Sequence, residues 1–292
     1  MTFITRFAPS PTGPLHLGHA YSAILAHDMA RAQGGVFLLR IEDIDTSRSR
    51  LDWEAQIYDD LTWLGLTWPQ PTLRQSDRLP DYRAALDTLW RRGLLYPCTC
   101  TRRDIAASAS APQEGAHVLG PDGIVYPGTC RCEVNHGPMP KGQALRLNMR
   151  AAQNFLHDAQ PTFTETGAGP QSETGQIRAN WTEIINGIGD IVLARPAMGT
   201  SYHLSMVLDD AAQNITLVPR GTDLFDATVI HVILQRLLDL PTPHYHHHRL
   251  IRDDAGKRLA KRNDARAISK YRSDGATPND IRDFCGLPET SL

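Results

Sequence analysis

The stretch RFAPSPTGPLHLGHA, from Arg6 to Ala20, can be neither one strand nor one helix. Met1 to Arg6 is β-branched and apolar, a first strand. Proline cannot donate to a central ladder, so Pro9 and Pro11 end it. After Gly18, apolar Ala23, Ile24, Ala26 and Ala30 recur at helical spacing until Gly34 and Gly35 stop the run. A proline- and glycine-rich turn therefore joins a strand to a helix. VFLLRIED then runs apolar without alternation, as a parallel strand buried on both faces does. Helical patterns follow, with Leu51, Ile57, Leu61 and Leu64 on one side, then Leu79, Tyr82, Leu86, Leu89 and Trp90. Alternating strands and helices predict an α/β sheet.

Residues 104 to 144 break this regularity. They are rich in Ala, Ser, Gly and Pro and read as an inserted, loop-rich module. Order returns at GDIVLA, YHLSMVLDD and NITLVPRG, and a helix is expected from Leu224 to Leu238. A chain of 292 residues with 41% hydrophobic and 21% charged residues can bury a sizeable core. It holds no run near the roughly 18 apolar residues of a membrane span. The N-terminus lacks a basic segment followed by an apolar one, so no signal peptide is expected and the cytoplasm is the expected compartment.

The net charge of −2 hides a basic end: Arg249 to Arg272 carries nine Lys/Arg against three Asp. Such a segment suits a polyanion, RNA or a nucleotide, or is simply a solvated surface.

In open α/β sheets, ligands bind at the carboxyl ends of strands, where a helix N-terminus favours anions. Gly13 and Gly18 let the backbone approach such a ligand closely. His16 and His19 add donors beside the first helical turn. The spacing alone equally fits two structural histidines capping a helix. Lys257 and Lys261, in the basic loop AGKRLAKRN, suit the outer phosphates of a nucleotide held there.

These motifs carry a family resemblance. PSPTGPLHLGH resembles the HIGH signature of class I aminoacyl-tRNA synthetases, and Arg258 to Arg262 is similar to their KMSKS loop, with Ala260 and Arg262 departing from it. RIEDID, YHLSMVLDD and VPRGTDL narrow the resemblance to the glutamyl branch. It implies a Rossmann-like catalytic domain that activates glutamate with ATP and Mg²⁺. His16, Gly18, His19 and Lys261 would then serve ATP, with His16, His19 and Lys261 stabilising charge in the reaction. Arg6 and Arg220 would meet carboxylate, Glu42 the ammonium, and Tyr202 would hydrogen-bond the substrate, with Phe7, Ala8, Pro9 and Ser10 completing the pocket.

Four of the five cysteines cluster as Cys98, Cys100, Cys130 and Cys132, and in a cytosolic chain this reads as a metal site. Four thiolates, or free buried thiols, are the direct readings. The chain also resembles the glutamyl-Q tRNA(Asp) synthetases, whose C-x-C and Y-x₃-C ligands imply one structural Zn²⁺ on Cys98, Cys100, Tyr126 and Cys130, with Cys132 the substitute for Tyr126. Cys285 is expected as a buried free thiol. In HYHHHRLI, alternate residues of a strand face opposite ways, so His246, His247 and His248 do not converge on a metal and belong at the surface or the site rim.

The expected organisation is a first catalytic half (1–97), a zinc-containing insertion (98–185), a second catalytic half (186–245), and a basic loop with C-terminal helices (246–292). About thirty residues beyond Lys261 are too few for an anticodon-binding domain. The resemblance therefore implies tRNA-independent glutamate activation and transfer to queuosine in the anticodon of tRNA(Asp), by a monomer without a membrane partner. A shortened glutamyl- or glutaminyl-tRNA synthetase charging a tRNA 3′ end and a non-catalytic RNA-binding relic are the alternatives.

Overall fold

Two parallel strands, Ile4–Phe7 and Val36–Ile41, form the first structural unit, paired from Ile4 with Val36 to Phe7 with Leu39. The computed structural model describes residues 2–109, 119–131, 137–251 and 266–288. Leu73–Arg74 extends the first sheet in parallel beyond the second strand. A second sheet runs in the order Leu217–Gly221, His244–His248, Thr162–Glu165, Gly175–Arg178. Its first three strands are parallel and its last is antiparallel.

The sheets are joined through the first strand. Thr216 N–H donates to the Ile4 carbonyl at 3.0 Å, and Ile4 N–H donates to Thr216 Oγ1 at 2.8 Å. The first strand therefore has an early strand on one side and a late one on the other. That is a topological switch point, where a crevice opens at the carboxyl ends.

Burial follows from this position. Thr5, Arg6 and Phe7 are all buried, and Thr5 Oγ1 donates to the Ala26 carbonyl at 2.7 Å. The helix Leu17–Ala32 lays Ala20, Ala23, Ile24, Ala26 and Ala30 into this core. Ile268, Ile281 and Cys285 from the end of the described chain close it. Cys285 is the expected buried thiol, its pKa pushed up to about 12 by burial.

The middle of the chain contributes an antiparallel sheet of Val192–Ala194, Ala144–Leu147 and Leu95–Cys98. It shares a core with the helices Leu79–Arg91, Tyr202–Ala212 and Phe225–Leu237. The stretch expected as an insertion, 98–185, does not stay apart from the catalytic fold. Thr162–Glu165 pairs with the His244–His248 strand, placing Glu165 opposite Tyr245.

The helix Leu51–Trp63 buries Ile57 and Leu61, with Leu64 buried just after it, as expected, but Leu51 is 74% exposed. At 3.6 residues per turn, Leu51 lies about 120° around the helix from Ile57. It belongs to the solvent face despite its apolar side chain. No helix among the described residues is long and apolar enough to cross a membrane.

Candidate active site

The turn between first strand and first helix is tied down at both ends. Glu42 N–H donates to the Pro9 carbonyl and Arg50 N–H to the Pro11 carbonyl, each at 3.0 Å. His16 is the helix N-cap, and its Nδ1 accepts from Gly18 N–H at 3.1 Å. His19 Nδ1 reaches back to accept from His16 N–H at 3.2 Å. The pair thus makes a capping box of two imidazoles, their rings stacked with centroids 3.8 Å apart. Gly18 suits this cap, because a Cβ there would lie 3.0 Å from His16 Cε1 and push on the capping ring. The capping reading and the donor reading coexist. A neutral imidazole accepting at Nδ1 carries its proton on Nε2, where it is a donor.

A cavity of about 300 Å³ opens at the carboxyl ends of the central strands. Arg6, Phe7, Ala8, Glu42, Tyr202 and Arg220 line it, together with Ser22 of the capped helix. Six of the eight residues expected to hold glutamate thus converge. The other two, Pro9 and Ser10, lie in the turn and do not line the cavity.

The two arginines are held differently. Arg6 Nε and Nη2 donate to the two carboxylate oxygens of Asp210, at 3.1 and 3.3 Å. Asp210 also accepts from Arg40 Nη1 at 2.7 Å. Burial raises the Asp210 pKa, but Arg6 and Arg40 outweigh it and hold this carboxyl below its ordinary range. Arg40 is fully buried and also reaches Glu42 Oε1 at 3.3 Å. Glu42 has the opposite balance. Burial pushes its carboxyl up against the pull of Arg40 and Arg6. A cation entering the cavity would restore its charged form.

Arg220 donates from all three nitrogens: Nε to His247 Nε2 at 3.1 Å, Nη1 to His231 Nδ1 at 3.0 Å, and Nη2 to Thr228 Oγ1 at 2.6 Å. Guanidinium has five N–H donors, so two remain without a partner among the described residues. His247 is fixed from behind by Glu165, which accepts from its ring Nδ1–H and, at 2.9 Å, from its backbone N–H. Of the two places expected for the histidine run, the surface is excluded for two of them, which touch the cavity-lining Arg220 and Ser22. His247 and His248 are buried, His247 behind Arg220 and His248 against Ser22 Oγ at 2.8 Å. Strand alternation sends His247 and Tyr245 to one face, their rings stacked at 6.2 Å.

Lys261 and its loop lie outside the described residues, as does Cys132. The described flanks of that loop both come to the capped turn. Ile268 N–H donates to the Leu15 carbonyl at 2.9 Å and Ala267 bridges to His16, while His248 meets Ser22.

Away from the cavity, the sulfurs of Cys98, Cys100 and Cys130 lie within 4.8 Å of one another. Tyr126 Oη sits among them, 3.5 Å from Cys98 Sγ and 3.4 Å from Cys100 Sγ. Cys100 and Cys130 sulfurs are 3.4 Å apart. A tetrahedral zinc site has sulfur–oxygen edges of about 3.5 Å and sulfur–sulfur edges of about 3.8 Å, given bond lengths near 2.0 and 2.3 Å. The four donors fit such an ion. Cys130 N–H donates to Tyr126 Oη at 2.7 Å, while burial and the neighbouring thiols push the phenol pKa up.

Several site residues escaped the sequence reading: Asp210, Arg40, Thr228 and His231. One signal was available. Two adjacent aspartates end the largely apolar helix Tyr202–Ala212, and at least one that turns inward needs a cation or donors beside it. Asp209 indeed accepts from Arg78 Nε at 2.7 Å, Gln75 Nε2 at 2.8 Å and Tyr82 Oη.

The family model for the catalytic domain of class I tRNA synthetases (E and Q) matches residues 2–123 and 159–290. A glutamyl-Q tRNA(Asp) synthetase of Rhodobacter capsulatus is 65% identical over 292 residues, covering 97% of this chain and 100% of that protein. Another, from Symbiobacterium thermophilum, is 39% identical over 287 residues, covering 94% and 83%. The crystal structure of a glutamate tRNA ligase from Elizabethkingia meningosepticum, in complex with its amino acid, superposes with a TM-score of 0.75 at 24% identity. That match covers 98% of this chain and 60% of the ligase, and it speaks to the fold alone.

Proposed function

The chain belongs to the class I tRNA synthetases of the E and Q branch, among the glutamyl-Q tRNA(Asp) synthetases, and we propose that it activates glutamate with ATP, without tRNA, and transfers the glutamyl group to queuosine in the anticodon of tRNA(Asp). The observation that carries this reading is the convergence of Arg6, Glu42, Tyr202 and Arg220 on one cavity at the switch point of the sheet.

Glutamate presents two carboxylates and one ammonium. Arg6 and Arg220 both line the cavity, and Arg is the bidentate partner of carboxylate. Glu42 meets the ammonium, and Tyr202 hydrogen-bonds the substrate. Phe7 and Ala8 wall the pocket, and Pro9 and Ser10 shape the turn beside it. A carboxylate is already a nucleophile, so no base is needed when it attacks the α-phosphorus and pyrophosphate leaves. Positioning and charge stabilisation carry the step. His16 and His19 offer Nε2–H donors at the helix start, Gly18 keeps the backbone close, and Lys261 serves the departing pyrophosphate. Mg²⁺ accompanies ATP as part of the substrate. In the second step a hydroxyl of the queuosine cyclopentene ring attacks the glutamyl carbonyl and AMP leaves. A single-stranded loop with splayed bases is what proteins most readily read in RNA. The working form in this proposal is a cytoplasmic monomer.

Zinc on Cys98, Cys100, Tyr126 and Cys130 would cross-link the insertion and supplies no chemistry to either step. Cys98→Ser is expected to lose the metal and to lower the melting temperature. Elemental analysis checks it, and unchanged zinc content would remove the site.

The functional reading is tested by glutamate transfer to queuosine-containing and to unmodified tRNA(Asp). Transfer to the first alone is the expected result. Equal labelling of unmodified tRNA at its 3′ end would favour a shortened tRNA-charging enzyme instead.

A further inference from the structure

Arginine can only donate. Its Nη1 contact at 3.0 Å therefore makes His231 Nδ1 an acceptor. A neutral imidazole accepting there carries its proton on Nε2. That nitrogen lies 3.1 Å from His203 Nδ1, which must accept in turn. His203 then bears its own proton on Nε2, 3.1 Å from Asp122 Oδ1. An ionised carboxylate can only accept. The two ends of the chain thus set the direction of every bond between them, and both rings must be neutral.

His231 and His203 are 1% and 5% exposed. Neither they nor Asp122 line the glutamate cavity. Asp122 sits on the turn between the short paired strands Leu119–Gly120 and Gly123–Ile124. That hairpin also borders the space walled by Tyr126. Burial first, and Arg220 second, hold His231 well below the ordinary histidine range, in keeping with a neutral ring.

We propose that His231, His203 and Asp122 form a hydrogen-bonded relay of positioning residues that aims the Arg220 guanidinium at a substrate carboxylate and ties the glutamate site to the Leu119–Ile124 hairpin. This rests on Arg220 being the carboxylate anchor. The relay occupies one N–H of Nη1 and prevents the guanidinium from rotating away from the cavity. Its contribution is to glutamate affinity rather than to ATP binding or to the chemical step.

The test is tRNA-free ATP–pyrophosphate exchange, with KM for glutamate and for ATP measured separately in wild type, His231→Leu, His231→Gln and His203→Leu. His231→Leu raises the glutamate KM at least tenfold, while the ATP KM stays within about twofold. His203→Leu raises the glutamate KM by a smaller factor. His231→Gln stays within about threefold of wild type, because its amide oxygen accepts from Arg220 and its amide N–H₂ meets His203. A glutamate KM at the wild-type value in His231→Leu, or equal impairment in Gln and Leu variants, overturns the relay. A second readout needs no activity: ¹⁵N shifts of the histidine rings in the free protein at neutral pH. Protons on Nε2 of both rings support the relay, and a proton on Nδ1 of either overturns it. Wild-type protein without glutamate-dependent exchange would sink the functional reading, and the ring shifts would still decide the relay.

Discussion

Glu42→Ala is expected to reduce glutamate-dependent ATP–pyrophosphate exchange by about 10²- to 10⁴-fold while leaving the fold intact. The loss follows from the place of the side chain. Glu42 is the carboxylate that lines the cavity, at the end of the strand Val36–Ile41. Removing the partner of a buried ammonium costs about 3–5 kcal/mol, and each 1.4 kcal/mol is tenfold. The fold survives because Arg40, which also touches Glu42, keeps Asp210 at 2.7 Å and Gln213 at 3.0 Å. Exchange kinetics together with a melting curve check both halves. Wild-type rates in the variant would refute the assignment of the ammonium site.

The largest effect on stability is expected at Asp210. It accepts from Arg6 and from Arg40, and all three side chains are buried. Asp210→Ala leaves two guanidinium groups underneath the cavity without their shared anion. Breaking one buried pair in this way costs about 3–5 kcal/mol, a large share of the 5–15 kcal/mol that holds a typical domain together. The melting temperature is expected to fall by roughly 10 °C. Asp210→Asn keeps one carbonyl acceptor and should fall less. Thermal denaturation decides it, and a melting temperature of the alanine variant within a degree of wild type would contradict the account.

Much of the architecture could be read from the chain because its signals are local. Pro9 and Pro11 end a strand, Gly34 and Gly35 end a helix, and Val36–Ile41, apolar but for the buried Arg40, lacks the alternation of a strand with one solvent face. The cavity residues were legible through motifs, since Arg6, Glu42, Tyr202 and Arg220 each stand in a recognisable stretch. Their supporting partners were not. Arg6 meets Asp210 across 204 residues, and Arg40 meets the same aspartate across 170. No periodicity links positions so far apart, so only the folded chain brings them together. The histidine run shows the complementary limit. Alternation along a strand separates His246 and His248 from His247, but it does not say what covers each face, and the structure buries both His247 and His248. That was decided by the register of His247 beside Arg220 on the neighbouring strand. Leu51 is exposed for a simpler reason: the angle around the helix axis, not apolar chemistry, settles which face a side chain joins.

Helix capping and ligand binding looked like alternatives for the HxxH spacing of His16 and His19. In the structure one requires only Nδ1 of each ring, and this choice leaves Nε2–H as the donor. A structural role therefore fixes the tautomer that the proposed chemistry needs.

The central claim is that this cradle holds glutamate and the nucleotide side by side. A crystal structure with a non-hydrolysable glutamyl-adenylate analogue tests it most directly. The account predicts the glutamyl moiety in the cavity, with Arg6 and Arg220 on its carboxyl-derived oxygens, Glu42 on its ammonium, and the adenylate against the His16–His19 turn. An analogue bound elsewhere, or bound with Arg6, Glu42 and Arg220 turned away from it, would contradict the account.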